Sequence, residues 1–212
     1  MKLVIVESPT KCKTIGQYLG PSYKVMASVG HIRDLSTSGP GGLGVDVNNN
    51  FKPTYIVSKD KTEIVKELKK YATRSEKVIL ATDPDREGEA IAWHLAEVLK
   101  LDVANTDRLE FHEITKPAIM RALENPRTID MNLVASQETR RIMDRITGFK
   151  LSHLLQKKIH SRSAGRVQSV TLKFIVDREK EIDDFTPEEY WTIEGYFSEQ
   201  KIKADLVSYK DK

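Results

Sequence analysis

Apolar and polar positions along this chain fall into two regimes. In the first, short unbroken apolar runs alternate with helical stretches. Residues 2–6 (Lys-Leu-Val-Ile-Val) are continuous and β-branched, the pattern of a strand buried on both faces. Glu7-Ser8-Pro9-Thr10 then turns into a helix from about Lys11 to Leu19, which Gly20-Pro21 stops. Residues 23–28 and 53–58 are predicted strands, and the Gly- and Asn-rich stretch 36–50 between them a long loop. Asp60 is expected to cap a helix running to about Ala72, with Ile64, Val65 and Leu68 on its apolar face. Val78–Thr82 is another buried strand, followed by an acidic turn and a helix to about Leu99. Residues 108–111 and 115–124 complete the regime as a strand and a helix. Such alternation predicts a parallel, Rossmann-like α/β sheet.

The second regime begins near residue 126. From Ile129 to about Asp183 the period is helical, with no clear strand. After Pro187, residues 190–197 and 201–207 alternate like two strands. Two strands form no stable sheet unaided, so the chain is expected to be the N-terminal part of a longer protein. The predicted divisions are 1–125, 126–185 and 186–212.

Charge changes this picture only locally. Over 212 residues, 34 Lys or Arg stand against 31 Asp or Glu, a net +3 that identifies no partner. Residues 137–173, however, hold nine Lys or Arg against two Asp or Glu. A basic helical half of this kind favours nucleic acid; the plainer alternative is a solvated helix face. The single cysteine, Cys12, excludes a disulfide framework and a multi-cysteine zinc site. There is no apolar run of membrane-spanning length and no signal-peptide pattern, so a cytoplasmic location without a membrane partner is expected.

The sharpest chemical signal is Asp83-x-Asp85-x-Glu87, directly after a buried strand. Ligands bind at the carboxyl ends of strands in open α/β sheets. Three carboxylates crowded there repel one another unless a cation is present, and hard oxygen ligands suit Mg²⁺. Glu7 ends the other buried strand and joins the cluster if the two strands are neighbours. Alternatively, the acids only cap the following helix. Arg86, among them, either neutralises the acids or holds a phosphate. Lys11 sits in a first helical turn, where free N–H groups favour anions. His31, in a loop between Gly30 and Arg33-Asp34, is a candidate phosphate contact. Arg141 and Arg145, four apart, share a helix face with Arg140 close by, and Asp144 can pair with Arg140 or Arg141. Residues 163–169 (Ser-Ala-Gly-Arg-Val-Gln-Ser) place small residues at a helix start, where a phosphate backbone can approach. Phe149 either stacks on a base or packs in the core, which its spacing favours. Trp93 and Leu95 are expected in the core, with His94 either satisfied there or on the surface.

The segments Val-Glu-Ser-Pro-Thr-Lys (6–11), Val-Gly-His-Ile-Arg-Asp-Leu (29–35), Asp-Pro-Asp-Arg-Glu-Gly-Glu (83–89), Arg-Arg-Ile-Met-Asp-Arg (140–145) and Ser-Ala-Gly-Arg-Val-Gln-Ser (163–169) stand in the order seen in bacterial DNA topoisomerase I, a type IA enzyme, which the chain resembles over nearly its whole length. The resemblance implies a Toprim metal-binding domain, a helical single-strand DNA-binding domain and the start of a β-rich arch. It implies relaxation of negatively supercoiled DNA through a transient 5′-phosphotyrosine. On this basis Glu7 serves proton transfer at the scissile phosphate and Lys11 stabilises its charge. Asp83, Asp85 and Glu87 hold Mg²⁺, with Glu7 beside them. His31, Arg140, Arg141, Asp144, Arg145, Phe149, Gln156 and the segment Ser163, Ala164, Gly165, Arg166, Val167, Gln168 hold the single strand, and a monomer is expected. Family members often carry Tyr at the Phe149 position and Trp at the Gln156 position; Phe149 keeps an aromatic face and Gln156 does not. None of the seven tyrosines lies in the Tyr-x-Arg-Thr-like motif of the nucleophile, so the chain is not expected to cleave DNA alone. Two other readings share some of these features. One is a Toprim primase or nuclease, and the other a non-enzymatic nucleic-acid-binding module.

Overall fold

A computed structural model describes residues 1–160, 163–199 and 201–208. Tyr209, one of the seven tyrosines, lies outside the described residues. The chain divides into two compact units, Met1–Arg166 and Val167–Lys212.

The first unit is built on a parallel sheet. Its strands are β1 (Lys2–Val6), β2 (Tyr23–Ala27), β7 (Lys77–Leu80) and β8 (Asp107–Arg108), in the order β2-β1-β7-β8. Between β2 and β7 lie the short strands β3 (Arg33–Leu35), β4 (Val45–Asp46), β5 (Lys52–Pro53) and β6 (Tyr55–Val57). They pair antiparallel, β3 with β6 and β4 with β5. The helices of this unit are α1 (Pro9–Leu19), α2 (Thr62–Arg74), α3 (Arg86–Leu99), α4 (Lys116–Glu124) and α5 (Met131–Ile159). Every residue of β1 from Leu3 to Val6 is fully buried because helices cover both faces. Leu3 and Ile5 pack with Val65 and Leu68 of α2, Ile91 and Leu95 of α3 and Val134 of α5. Val4 and Val6 point the other way, onto Ile15 of α1 and Ile119 and Ala122 of α4. The sheet is thus doubly wound, as the alternation of elements predicts.

Several local expectations shift. Asp60 does not cap α2: a 3₁₀ turn covers Lys59–Lys61, and α2 starts at Thr62 with no side-chain cap. Asp60 instead lies 3.6 Å from the Lys61 ammonium. The predicted strand 53–58 is split between β5 and β6, because β5 pairs with β4 and β6 with β3. Residues 108–111 pair as a strand only through Arg108, although Leu109 and Phe111 enter the core. The glycine-rich stretch 36–50 is not a bare loop. Leu43 and Val45 form a small core with Leu35, covered by Ile142 and Ile146 of α5. Gly44 is required there, since a Cβ would stand 2.0 Å from the Ser36 carbonyl oxygen.

The second unit carries most of α6 (Arg166–Asp183) and the antiparallel hairpin of β9 (Glu194–Phe197) and β10 (Ile202–Asp205). The hairpin strands are shorter than the predicted 190–197 and 201–207. No helix among the described residues is long and apolar enough to cross a membrane.

Candidate functional site

The carboxyl ends of β1 and β7 lie side by side, with Ile5 opposite Leu80. Glu7 therefore emerges next to the turn that carries Asp83 and Asp85, as it must if the two strands are neighbours. Ser8 caps α1, its hydroxyl accepting from the Lys11 amide. That cap starts the helix so that Lys11 turns back over the sheet edge, and its ammonium donates to the Asp83 carboxylate. Burial raises the Glu7 pKa, and the charges of Asp83 and Asp85 push the same way against the opposing pull of Lys11. The Gly30 amide donates to the Glu7 carbonyl at 3.1 Å, which brings the His31 loop to the same edge. In that loop Val29 takes φ 58°, a left-handed conformation that costs a β-branched residue about 1–3 kcal/mol.

The acidic turn is fixed from behind. Asp85 is the N-cap of α3 and accepts from the Gly88 amide at 2.7 Å. The helix-capping alternative therefore describes Asp85 well, but not Asp83. Gly88 lies so close that a Cβ would stand 2.2 Å from the Asp83 carbonyl oxygen. Thr82 donates its hydroxyl to the Gly88 carbonyl at 2.6 Å. Arg108, fully buried, donates to the carbonyls of Thr82 (2.8 Å) and Asp83 (2.7 Å) and to the Glu89 carboxylate (3.1 Å). Glu89, equally buried, also accepts from Arg127 at 2.7 and 2.8 Å and from the Asp130 amide at 2.7 Å. Burial alone would raise the Glu89 pKa, but the hydrogen bonds from Arg127 and Asp130 and the Arg108 charge hold it below the usual carboxylate range. Asp130 is in turn the N-cap of α5. Glu89 thus joins the acidic turn to the start of the long basic helix.

Sequence reasoning missed this triad. Glu89 stands inside the acidic motif but attracts no separate notice, and nothing local marks Arg108 as buried, since arginine seldom is.

The acids do not all face one space. Asp83 and Asp85 line a cleft of about 390 Å³ with Lys11, Phe111 and His112. Glu87 lines a second, of about 410 Å³, with His31, Arg33, Gln137, Arg140 and Arg141. Its carboxylate lies 3.3 Å from His31 Nε2, accepts from Gln137 at 3.1 Å and lies 3.6 Å from the Arg140 guanidinium. Arg86 is exposed and makes no ion pair among the described residues. Nor, among them, are three His, Cys, Asp or Glu side chains gathered so as to hold a metal ion. The donor chemistry of Asp83 with Glu7 or Asp85 nevertheless fits Mg²⁺, which takes one or two carboxylates and fills its shell with water and phosphate oxygens.

The basic residues of α5 are partly committed. Arg141 donates to the Asp34 carboxylate, with Nε at 2.9 Å, rather than to Asp144. Asp144 lies 3.8 Å from Arg140 and accepts from Arg166 at 3.1 and 3.2 Å. Arg145 is buried, donating to the carbonyls of Leu35 (3.2 Å) and Ser36 (3.3 Å), and so pins the glycine-rich segment. Its guanidinium lies 5.0 Å from the centre of the Phe149 ring. Phe149 is 41% exposed rather than in the core. With Leu43, Gln156 and Ser163 it lines a third cleft of about 590 Å³. Ser152 exchanges hydrogen bonds with the Ala164 amide and carbonyl, docking Ser163–Gly165 on α5. Val167 and Gln168 begin the second unit on α6.

Arg33 is a further residue that the sequence reading passed over. It donates to His94 Nδ1 at 2.9 Å and lies over the rings of Tyr55 and Trp93. His94 is buried and satisfied, and burial, reinforced by the Arg33 charge, lowers its pKa to about 3.

Residues 2–114 match the Toprim domain family, and residues 128–212 match the DNA topoisomerase family. Full-length topoisomerase I from Thermotoga maritima is similar to this chain, with 44% identity and a TM-score of 0.75 over 98% of it. The match covers 35% of that protein, so the chain spans about a third of its length. The Toprim match takes in more than half of the chain and the topoisomerase match follows it, and the chain belongs to the bacterial type IA DNA topoisomerase family.

Proposed function

We propose that this chain supplies the cation site and the single-strand-guiding surface of a type IA topoisomerase, which relaxes negatively supercoiled DNA by transient cleavage of one strand. One observation carries the reading. Glu7, Lys11 and Asp83 meet at the carboxyl edge of adjacent strands, tied through Glu89 to the helix that bears Arg140, Arg141 and Arg145. Residues 1–125 form the Toprim part, 126–185 the helical part and 186–212 the start of an arch, in keeping with the family matches on either side of residues 115–127.

Glu7, whose pKa burial and the neighbouring Asp83 and Asp85 carboxylates raise, is suited to pass a proton to a leaving 3′ oxygen. Lys11 offers positive charge to the phosphate under attack. Asp83, with Asp85 or Glu7, holds Mg²⁺, which supplies charge neutralisation at that phosphate when bound. His31, Arg86 and Arg140 line the approach, and Phe149 offers a face on which a base stacks. None of the seven tyrosines lies in a Tyr-x-Arg-Thr-like motif, so strand cleavage requires more than this chain.

The test is fluorescence anisotropy with a short single-stranded oligonucleotide and the matching duplex over a salt series. Tighter binding to the single strand, with log K falling linearly against log salt, is the expected result. Equal or absent binding would overturn the guiding role, and covalent adduct formation would overturn the claim that cleavage lies elsewhere.

A further inference from the structure

Asp83 already has a cation. The Lys11 ammonium donates directly to its carboxylate, and the two side chains are only 21% and 37% exposed. Lys11 is also the residue placed to meet a phosphate, at the third position of α1 beneath the cap of Ser8. While it is paired with Asp83, part of its charge is neutralised there, and it offers less to a phosphate. Glu7 and Asp85 add negative charge at the same edge, Glu7 within reach of the Asp83 field. Removing Lys11 without replacement would leave the Asp83 carboxylate without its counter-ion beside the negative charges of Glu7 and Asp85.

Resting on the cation-site reading above, we propose that Lys11 and a divalent cation are alternative counter-ions of Asp83, so that cation entry releases the Lys11 ammonium towards substrate phosphate. The lysine then acts as a built-in placeholder. It keeps the acidic edge folded before the cation arrives, and it becomes free for the phosphate only once the edge is loaded. The backbone behind Asp83 need not move, because Arg108 and Thr82 hold it independently of Lys11. The exchange is therefore a side-chain event on a fixed turn.

Two measurements on the 212-residue chain test this. The first is Mn²⁺ binding followed by electron paramagnetic resonance. The wild type should bind, Asp83→Asn should lose binding, and Lys11→Met should bind roughly three- to tenfold more tightly because the competing ammonium is gone. The second needs no variant at the lysine. The rate at which an amine-reactive acylating reagent modifies Lys11 is read by mass spectrometry. Mg²⁺ should raise that rate several-fold in the wild type, while Asp83→Asn should react quickly with or without Mg²⁺. No Mn²⁺ binding by the wild type, or binding that survives Asp83→Asn, overturns the cation-site reading itself. Binding that is lost in Asp83→Asn but unchanged or weaker in Lys11→Met overturns the exchange alone. So does a Lys11 modification rate that Mg²⁺ leaves unchanged or lowers.

Discussion

Glu89→Gln removes one charge from the most deeply buried ionic group in the first unit without changing its size. Four hydrogen bonds converge on the Glu89 carboxylate: one from Arg108, two from Arg127 and one from the Asp130 amide. Gln offers one acceptor oxygen, and its NH₂ group would face guanidinium donors. Arg108, with no exposed surface, would be left without a counter-ion. Breaking a buried pair by removing one partner costs about 3–5 kcal/mol. With a urea m-value of about 2 kcal/mol/M, the midpoint should fall by about 2 M. The assay can be confined to the first unit. Trp93 is partly buried and packs against its core, and Trp191, in the second unit, is 85% exposed. In a Trp191→Phe background, urea unfolding read by fluorescence reports Trp93 alone. Arg127→Met should cost less, because Arg127 is partly exposed and Glu89 keeps Arg108. The double variant should lose less than the sum of the two. The pH dependence adds a check. The folded Glu89 carboxyl is held below its unfolded value, so its contribution is complete above about pH 4.3 and is lost as the pH falls through the lower folded value. A midpoint shift below about 0.5 M urea, or full additivity with Arg127→Met, would refute the view that Glu89 holds this region together.

Gly88→Ala should cost about 1–3 kcal/mol and weaken Mn²⁺ binding, because its Cβ would stand 2.2 Å from the Asp83 carbonyl oxygen and the turn must move; unchanged urea midpoint and Mn²⁺ titration would contradict this. His94 keeps a folded pKa near 3 while the unfolded value is about 6.5, so its contribution is complete above pH 6.5 and falls by about 1.4 kcal/mol per pH unit below it. Urea midpoints at pH 7.5, 6.0 and 5.0 should show that slope in the wild type and a flatter one in His94→Gln. Phe149→Ala should change stability by less than about 1 kcal/mol, since the ring is largely a surface group. It should weaken single-strand binding in the anisotropy assay by about 1–3 kcal/mol.

Much of the first unit was legible in the chain because its signals are local. A run such as Leu3–Val6 has no polar side chain to leave in water, so it must be covered on both faces. Ser8 begins α1 and Asp85 begins α3 because each offers an oxygen to an unpaired amide a few residues on. Such rules act within a turn of helix or a strand's length. They failed where two local solutions compete, as at Asp60, where a 3₁₀ turn displaced the cap.

What the local pattern could not decide is which distant groups meet. That depends on strand order and on the crossovers between strands. Glu7 reaches Asp83 only because β1 lies against β7. Glu87, two residues from Asp85, faces another cleft because α3 has begun there and turns each successive side chain about a third of the way round. Arg108 and Glu89 are buried together because helix and sheet close over both, and each makes the other's charge tolerable. Composition and spacing determined that acids, a lysine and a basic helix are present in this order. Tertiary structure alone decided their pairings, because the free energy of a buried charge depends on its neighbours in space rather than in sequence.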